Sequence, residues 1–209
     1  RKALKFCSPL ILGNYLYFPV SNIDKILLER LNNPQEFGYY NLGLTIASYI
    51  GTFFITLYMA FEPDLYKYTS QRKTKEYRNL MIIYLIIITI VAFFAITFSD
   101  FIVAYLTSNR YLESIKYVNI MVIAFYLYSI GDIFQQLFYS LNATRLSLIR
   151  NFLMAISGLT IYYFSIKHGH FLGAAWARVI LYVLYIVSGL GLFYIKFRIS
   201  IHRLIRKAN

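Results

Sequence analysis

Ser8-Pro9-Leu10-Ile11-Leu12-Gly13-Asn14-Tyr15-Leu16-Tyr17-Phe18 runs on through residues 19–21 into Asn22-Ile23-Asp24-Lys25-Ile26-Leu27-Leu28-Glu29-Arg30. The stretch is apolar for long enough to cross a bilayer, which takes roughly 20 mainly apolar residues. Yet it places Asp24 and Lys25 one turn before its end. Charges near hydrocarbon cost about 2.5–3.5 kcal/mol each at a helix centre. Asp24 therefore needs a partner or a polar cavity, while Lys25 can snorkel outward on its long stem. Pro19 falls mid-span and removes a backbone hydrogen bond, which predicts a kink with Asn14 and Ser21 near the bend. A polar turn, Asn32-Asn33-Pro34-Gln35-Glu36-Phe37-Gly38, follows before Tyr39-Tyr40 open a second apolar run.

The same alternation of apolar runs and polar gaps continues to the end of the 209 residues. Six spanning helices are expected, over roughly 8–28, 40–61, 80–98, 118–141, 151–166 and 172–195. The composition agrees: 59% hydrophobic and 14% charged, against about 25% charged in soluble domains. The expected fold is an all-α polytopic membrane protein, a single six-helix lobe (1–209) with a basic tail (196–209) and no separate globular domain. The 21 Tyr and 18 Phe suit interfacial belts and cavity walls. The lone Cys7 excludes an internal disulfide. The chain opens on Arg1 rather than Met, which points to a piece of something longer.

The net charge of +12 could suggest nucleic acid, but the basic residues sit in the gaps between apolar runs. Fifteen of the 21 Lys and Arg, among them Lys67, Lys75, Arg145 and Arg150, fall on one side, and Arg30, Arg110, Lys116 and Lys167 on the other. The richer side is expected to be cytoplasmic, with both termini there. In the tail, Phe197, Ile201, Leu204 and Ile205 oppose Arg198, Arg203, Arg206 and Lys207. That pattern fits either a helix lying on anionic lipid or a basic end that only sets topology.

Three spans carry a polar face. In the second, Asn41, Thr45, Ser48, Thr52 and Thr56 recur at helical spacing. They line a cavity, or else bond their own backbone four residues back. On another face Gly43, Ala47 and Gly51 form a small-residue track suited to close helix packing. In the fourth, Asp132 sits mid-span with Tyr128, Ser129, Gln135, Gln136 and Tyr139 on its face. An ionisable group there is a candidate for ion coupling, with a hydrogen bond to Thr52 or Thr56 as the plainer alternative. In the sixth, Arg178 shares a face with Ala174, Tyr182, Tyr185 and Gly189. Counted along the helices, Arg178 and Asp24 lie at the same depth, so an ion pair or gate is geometrically open to them. Arg178 could instead meet a lipid headgroup or a substrate phosphate. The third run, Met81 to Val91, is apolar all round and is expected to face lipid.

No Gly-rich phosphate loop is present, and no metal-ligand spacing beyond the weak pair His168 and His170. No cofactor is expected. A membrane-embedded glycosyl- or acyltransferase would need one of these His with Asp100 or Glu113. A non-transporting scaffold would tolerate Leu at Asp132.

Several motifs together resemble the start of the second lobe of the polysaccharide (O-antigen, Wzx-type) flippases of the MATE-like exporter superfamily. They are Lys5-Phe6 with Ser8-Pro9-Leu10, then Asp24-Lys25-Ile26-Leu27-Leu28 and Pro34-Gln35-Glu36-Phe37-Gly38-Tyr39-Tyr40-Asn41-Leu42. Ala47-Ser48, Pro63 with Tyr66, and the late Gly173-Ala174-Ala175-Trp176-Ala177 complete the set. The resemblance implies one lobe of a two-lobe alternating-access transporter in a bacterial or archaeal cytoplasmic membrane. It implies a polyprenyl-pyrophosphate-linked oligosaccharide as substrate, driven by an ion gradient, and no enzymatic activity. The partners implied are membrane lipid and either a first lobe of the same protein or a second copy. Asp132 would couple the ion; Asn41, Thr45, Ser48, Thr52, Thr56, Gln135, Gln136, Arg178 and Tyr182 would line the cavity. Export of small cationic drugs, as in MATE exporters, is the alternative.

Overall fold

The computed structural model describes residues 11, 12, 15, 22–71, 73–141 and 143–208, the last thirteen of these (196–208) as backbone only. The bend expected at Pro19, most of the first span and the side chains of the basic tail lie outside the described residues. The end of the first span is helical over 22–29 (α1). α2 (Pro34–Ser70), α3 (Thr74–Thr97), α4 (Ser99–Thr107), a 3-10 turn (Leu112–Ser114), α5 (Ile115–Ser140) and α6 (Thr144–Ala208) follow. The described chain is almost wholly helical, as expected of an all-α polytopic membrane protein.

α2 starts where the polar turn supplies a start signal. Asn33 accepts from the Glu36 amide at 3.2 Å, Pro34 occupies the first turn and Glu36 faces the positive end of the helix. At 37 residues it spans about 55 Å, so it outlasts the hydrocarbon and carries Pro63 in its protruding end. Four stretches are long and apolar enough to cross a membrane: α2, α3, Leu112–Ser140 and Thr144–Ile195.

The last is two helices. His170 (φ 49°, ψ −130°) breaks α6 into a first arm, 144–169, and a second arm from 171 onward. The arms double back on each other. A Cβ on Gly173 would collide with the Ser165 carbonyl, eight residues earlier, and Tyr162 approaches Arg178, both eight residues from His170. The polar gap expected at 167–171 thus shrinks to a one-residue reversal. The first arm also begins at Thr144, well before the apolar run at 151. The 99–117 gap holds the short amphipathic α4, which buries Val103 and exposes Phe101, Tyr105 and Leu106.

α5 is the central element, contacted by α2, α3 and α6. Lipid tails are as apolar as Leu, so these helices gain by close approach rather than by leaving water. The Gly43/Ala47/Gly51 track provides it: a Cβ on Gly43 would stand 2.6 Å from that of Tyr117, and one on Gly51 2.7 Å from the Phe125 ring. α3 docks by the stripe Met81, Tyr84, Ile88, Ala92 and Ala95 and turns Ile82, Ile83, Ile86, Ile90 and Phe93 outward. Turns at 30–33, 108–114 and around His170 mark one end of the bundle, the hairpin end. Those at Gln71 and Leu141, near Lys67, Lys73, Lys75 and Arg145, mark the other, the basic end.

Candidate functional site

At the hairpin end Asp24 and Arg178 are both buried and their side chains meet, Nη2 to Oδ2, at 2.5 Å. Each lies near the start or end of its helix, which sets the equal depth. Tyr40 donates its hydroxyl to the same Oδ2 at 2.5 Å, and Tyr162 stands against the guanidinium. The cluster ties α1, α2 and both arms of α6 together. Arg178 is engaged by Asp24 and is no open cavity-wall cation. Just above, Glu36 accepts from the buried Tyr117 hydroxyl and pairs with Lys116 at 3.1 Å. A cavity of about 430 Å³ opens there, lined among others by Asn33, Glu36, Lys116, Tyr117, His170 and Phe171. His170 shares it with neither Asp100 nor Glu113. Among the described residues no three His, Cys, Asp or Glu groups gather for a metal.

Asp132 lies eight residues from the end of α5, about 12 Å from it, so it sits toward the basic end rather than at mid-span. It lines a cavity of about 90 Å³ with Tyr128, Gln135, Gln136, Tyr139, Asn151 and Tyr185. Its hydrogen bond comes from Gln136 Nε2 at 3.4 Å, not from Thr52 or Thr56. Gln135, on the wall of the same cavity, donates to Tyr139 at 2.6 Å and to Ser147. Tyr182 packs against Tyr128, ring centroids 5.1 Å apart, beside Ala124 and Val179.

The sequence reading missed Arg150. Counted there as a charge setting topology, it is fully buried. It donates to the Tyr185 carbonyl from Nε (3.2 Å) and Nη2 (2.8 Å), to the Gly131 carbonyl (2.8 Å) and to Gln135 Oε1 (3.3 Å). The guanidinium also lies 3.4 Å from the Tyr185 ring centroid, where a desolvated cation is attracted by the face of the ring. Arg150 and Arg178 are thus both buried within the bundle. The signal was available: Thr144, Ser147, Arg150 and Asn151 repeat at helical spacing and are all buried, whereas Ile149, Phe152, Leu153 and Ile156 point outward. That polar-in, apolar-out order suits a helix bathed in lipid.

The α2 stripe takes a third position. Thr45, Ser48, Thr52 and Thr56 each donate to a carbonyl three or four residues back, at 2.7–2.9 Å. Thr45, Thr52 and Thr56 are exposed, and Asn41 and Ser48 half-buried. They lie opposite the Gly43/Ala47 track and away from both cavities just described. The expected single cavity formed by the stripe, Asp132 and Arg178 is not assembled among the described residues. Its three parts stand on an outer face, near the basic end and near the hairpin end.

Five described crossings, a buried ion pair and an ionisable pocket mark a polytopic chain with internal polar machinery. The family model MatE matches residues 9–164. The chain belongs to the MatE family. It is thereby a multi-pass membrane transporter rather than a member of an enzyme family. The match covers the Asp24, α2 and Asp132 regions and stops before the second arm of α6, which carries Arg178. No curated protein and no solved structure matches the chain.

Proposed function

We propose that this MatE chain is one lobe of an ion-coupled flippase that carries a lipid-linked oligosaccharide across a bacterial or archaeal cytoplasmic membrane, for surface polysaccharide synthesis. Both termini are then cytoplasmic, and a second lobe, of the same protein or of a second copy, faces the α2 stripe across the substrate path. The observation that carries the reading is the chemistry of that stripe. No charge occurs from Tyr40 to Phe61, and each Thr and Ser hydroxyl has already given its one proton to the helix. What these four hydroxyls leave outward is a ladder of oxygen lone pairs, with the Asn41 amide, a donor as well as an acceptor, at its hairpin end. Sugar hydroxyls, which donate, suit that ladder. A small cationic cargo, which fits the family match equally well, finds no carboxylate on it. Asp132 is the coupling group, and Asp24–Arg178 is the tie or gate that holds the hairpin end.

The test is Thr45→Val/Thr52→Val/Thr56→Val and, separately, Asp132→Asn in the full-length protein, scored for surface glycan and for drug resistance at matched protein levels. Three lost hydrogen bonds at about 0.5–1.5 kcal/mol each predict at least a tenfold fall in glycan export for the triple variant. Unchanged glycan with lost drug resistance replaces this substrate by a small molecule. Unchanged glycan in Asp132→Asn removes Asp132 from coupling.

A further inference from the structure

A second carboxylate lies beyond Asp132 toward the basic end. α2 and α5 run in the same direction, with Gly43 against Tyr117 and Gly51 against Phe125, a register that sets Glu62 level with Gln136, one turn past Asp132. Glu62 lines a small cavity of about 10 Å³ with Tyr58, Tyr66, Thr69, Gln136 and Ser140. Gln136 also lines the 90 Å³ cavity of Asp132, and its amide donates to Asp132 Oδ2. One side chain thus forms the wall between the two carboxyl sites. The smaller cavity is about the size of one water and offers the several polar partners a buried water needs. No ion pair among the described residues engages Glu62.

We propose that Glu62 is the proton relay between Asp132 and the solution at the basic end, with Gln136 and a bridging water between the two carboxyls. The inference rests on the coupling role of Asp132 and extends it. In the outward step the O–H bond of the Asp132 carboxyl breaks and the water accepts that proton. The water passes one of its own to the Glu62 carboxylate, and Glu62 then releases a proton to solvent; one proton moves and no other bond changes.

The groups facing Glu62 are Tyr58 and Tyr66 of α2, Tyr77 of α3, and Gln136 and Ser140 of α5. Those around Asp132 are Tyr128 and Tyr139 of α5, with Asn151 and Tyr185 of α6; Arg150 of α6, bonded to Gln135 and Tyr185, is the charge behind them. Tyr ordinarily titrates near about 10 and Arg stays charged, so the two carboxyls are the groups free to exchange a proton.

The experiment is time-resolved infrared detection of the carboxylic-acid band after a pH jump, on the full-length protein in lipid nanodiscs. Asp132→Asn identifies the Asp132 band by removing it. Glu62→Gln is expected to keep that band but slow its relaxation at least about tenfold, with Glu62→Asp close to wild type. Gln136→Leu, which removes the polar group that both cavities share, slows the same relaxation. Wild-type relaxation in Glu62→Gln overturns the relay while the Asp132 reading stands. A band unaffected by Asp132→Asn overturns the Asp132 reading and the relay with it.

Discussion

Replacing Arg178 by Met should destabilise the lobe far more than replacing both Arg178 and Asp24. At 2.5 Å and an effective dielectric of about 20, the Coulomb attraction is about 6–7 kcal/mol. Desolvating two ions costs several kcal/mol each, so the intact pair contributes little net. Arg178→Met alone removes the attraction and leaves the carboxylate of Asp24, 0% exposed, with Tyr40 as its remaining donor. The expected loss is about 3–5 kcal/mol. Asp24→Leu/Arg178→Met removes both charges together and should return to within about 2 kcal/mol of wild type, a coupling of about 2 kcal/mol or more between the two sites. Reversible unfolding in mixed detergent micelles, followed by the fluorescence of Trp176, measures both quantities. Trp176 is the single Trp of these 209 residues and sits two positions from Arg178. A loss under about 1 kcal/mol in Arg178→Met, or a double variant as unstable as the sum of the singles, refutes the reasoning. Either result would mean that solvent reaches the pair or that the helices do not depend on it.

Gly51→Leu should separate α2 from α5, because even a Cβ there stands 2.7 Å from the Phe125 ring. Overpacking of this kind costs about 1–3 kcal/mol, and a cysteine cross-linking series between α2 and α5 should show the gap widen toward the hairpin end. His170→Gly should stabilise. His170 holds φ 49° and ψ −130°, a region that costs a side-chain-bearing residue about 1–3 kcal/mol; the thermal midpoint should rise, and an unchanged or lowered midpoint argues that the His170 side chain repays the strain.

Much of this architecture was legible in the residues. Runs of apolar residues longer than a bilayer needs can only be spans, and the Gly43/Ala47/Gly51 spacing announces a close helix contact. The matching depths of Asp24 and Arg178 followed from counting residues along helices. Three features were not legible. Arg150 looked like one more basic-loop charge, because a buried Arg and a loop Arg differ only in which neighbours close around them. The break between the last two spans was legible at 167–171, but not that one residue, His170, would make the whole reversal. The Asn41-to-Thr56 stripe could equally be read as cavity wall or as self-bonded hydroxyls; the structure makes its four hydroxyls self-bonded and three of them exposed.

The sequence by itself determined that this is a helical membrane chain, roughly where it crosses and which faces are polar, because the cost of placing polar atoms in hydrocarbon acts on every residue regardless of its neighbours. The tertiary structure alone decided which polar faces meet. Asp24 found Arg178 and Tyr40, Arg150 found two backbone carbonyls and a Tyr185 ring, and Asp132 was left in a cavity beside Gln136. Pairing of this kind is set by helix rotation and close approach, and those depend on residues far apart in the chain.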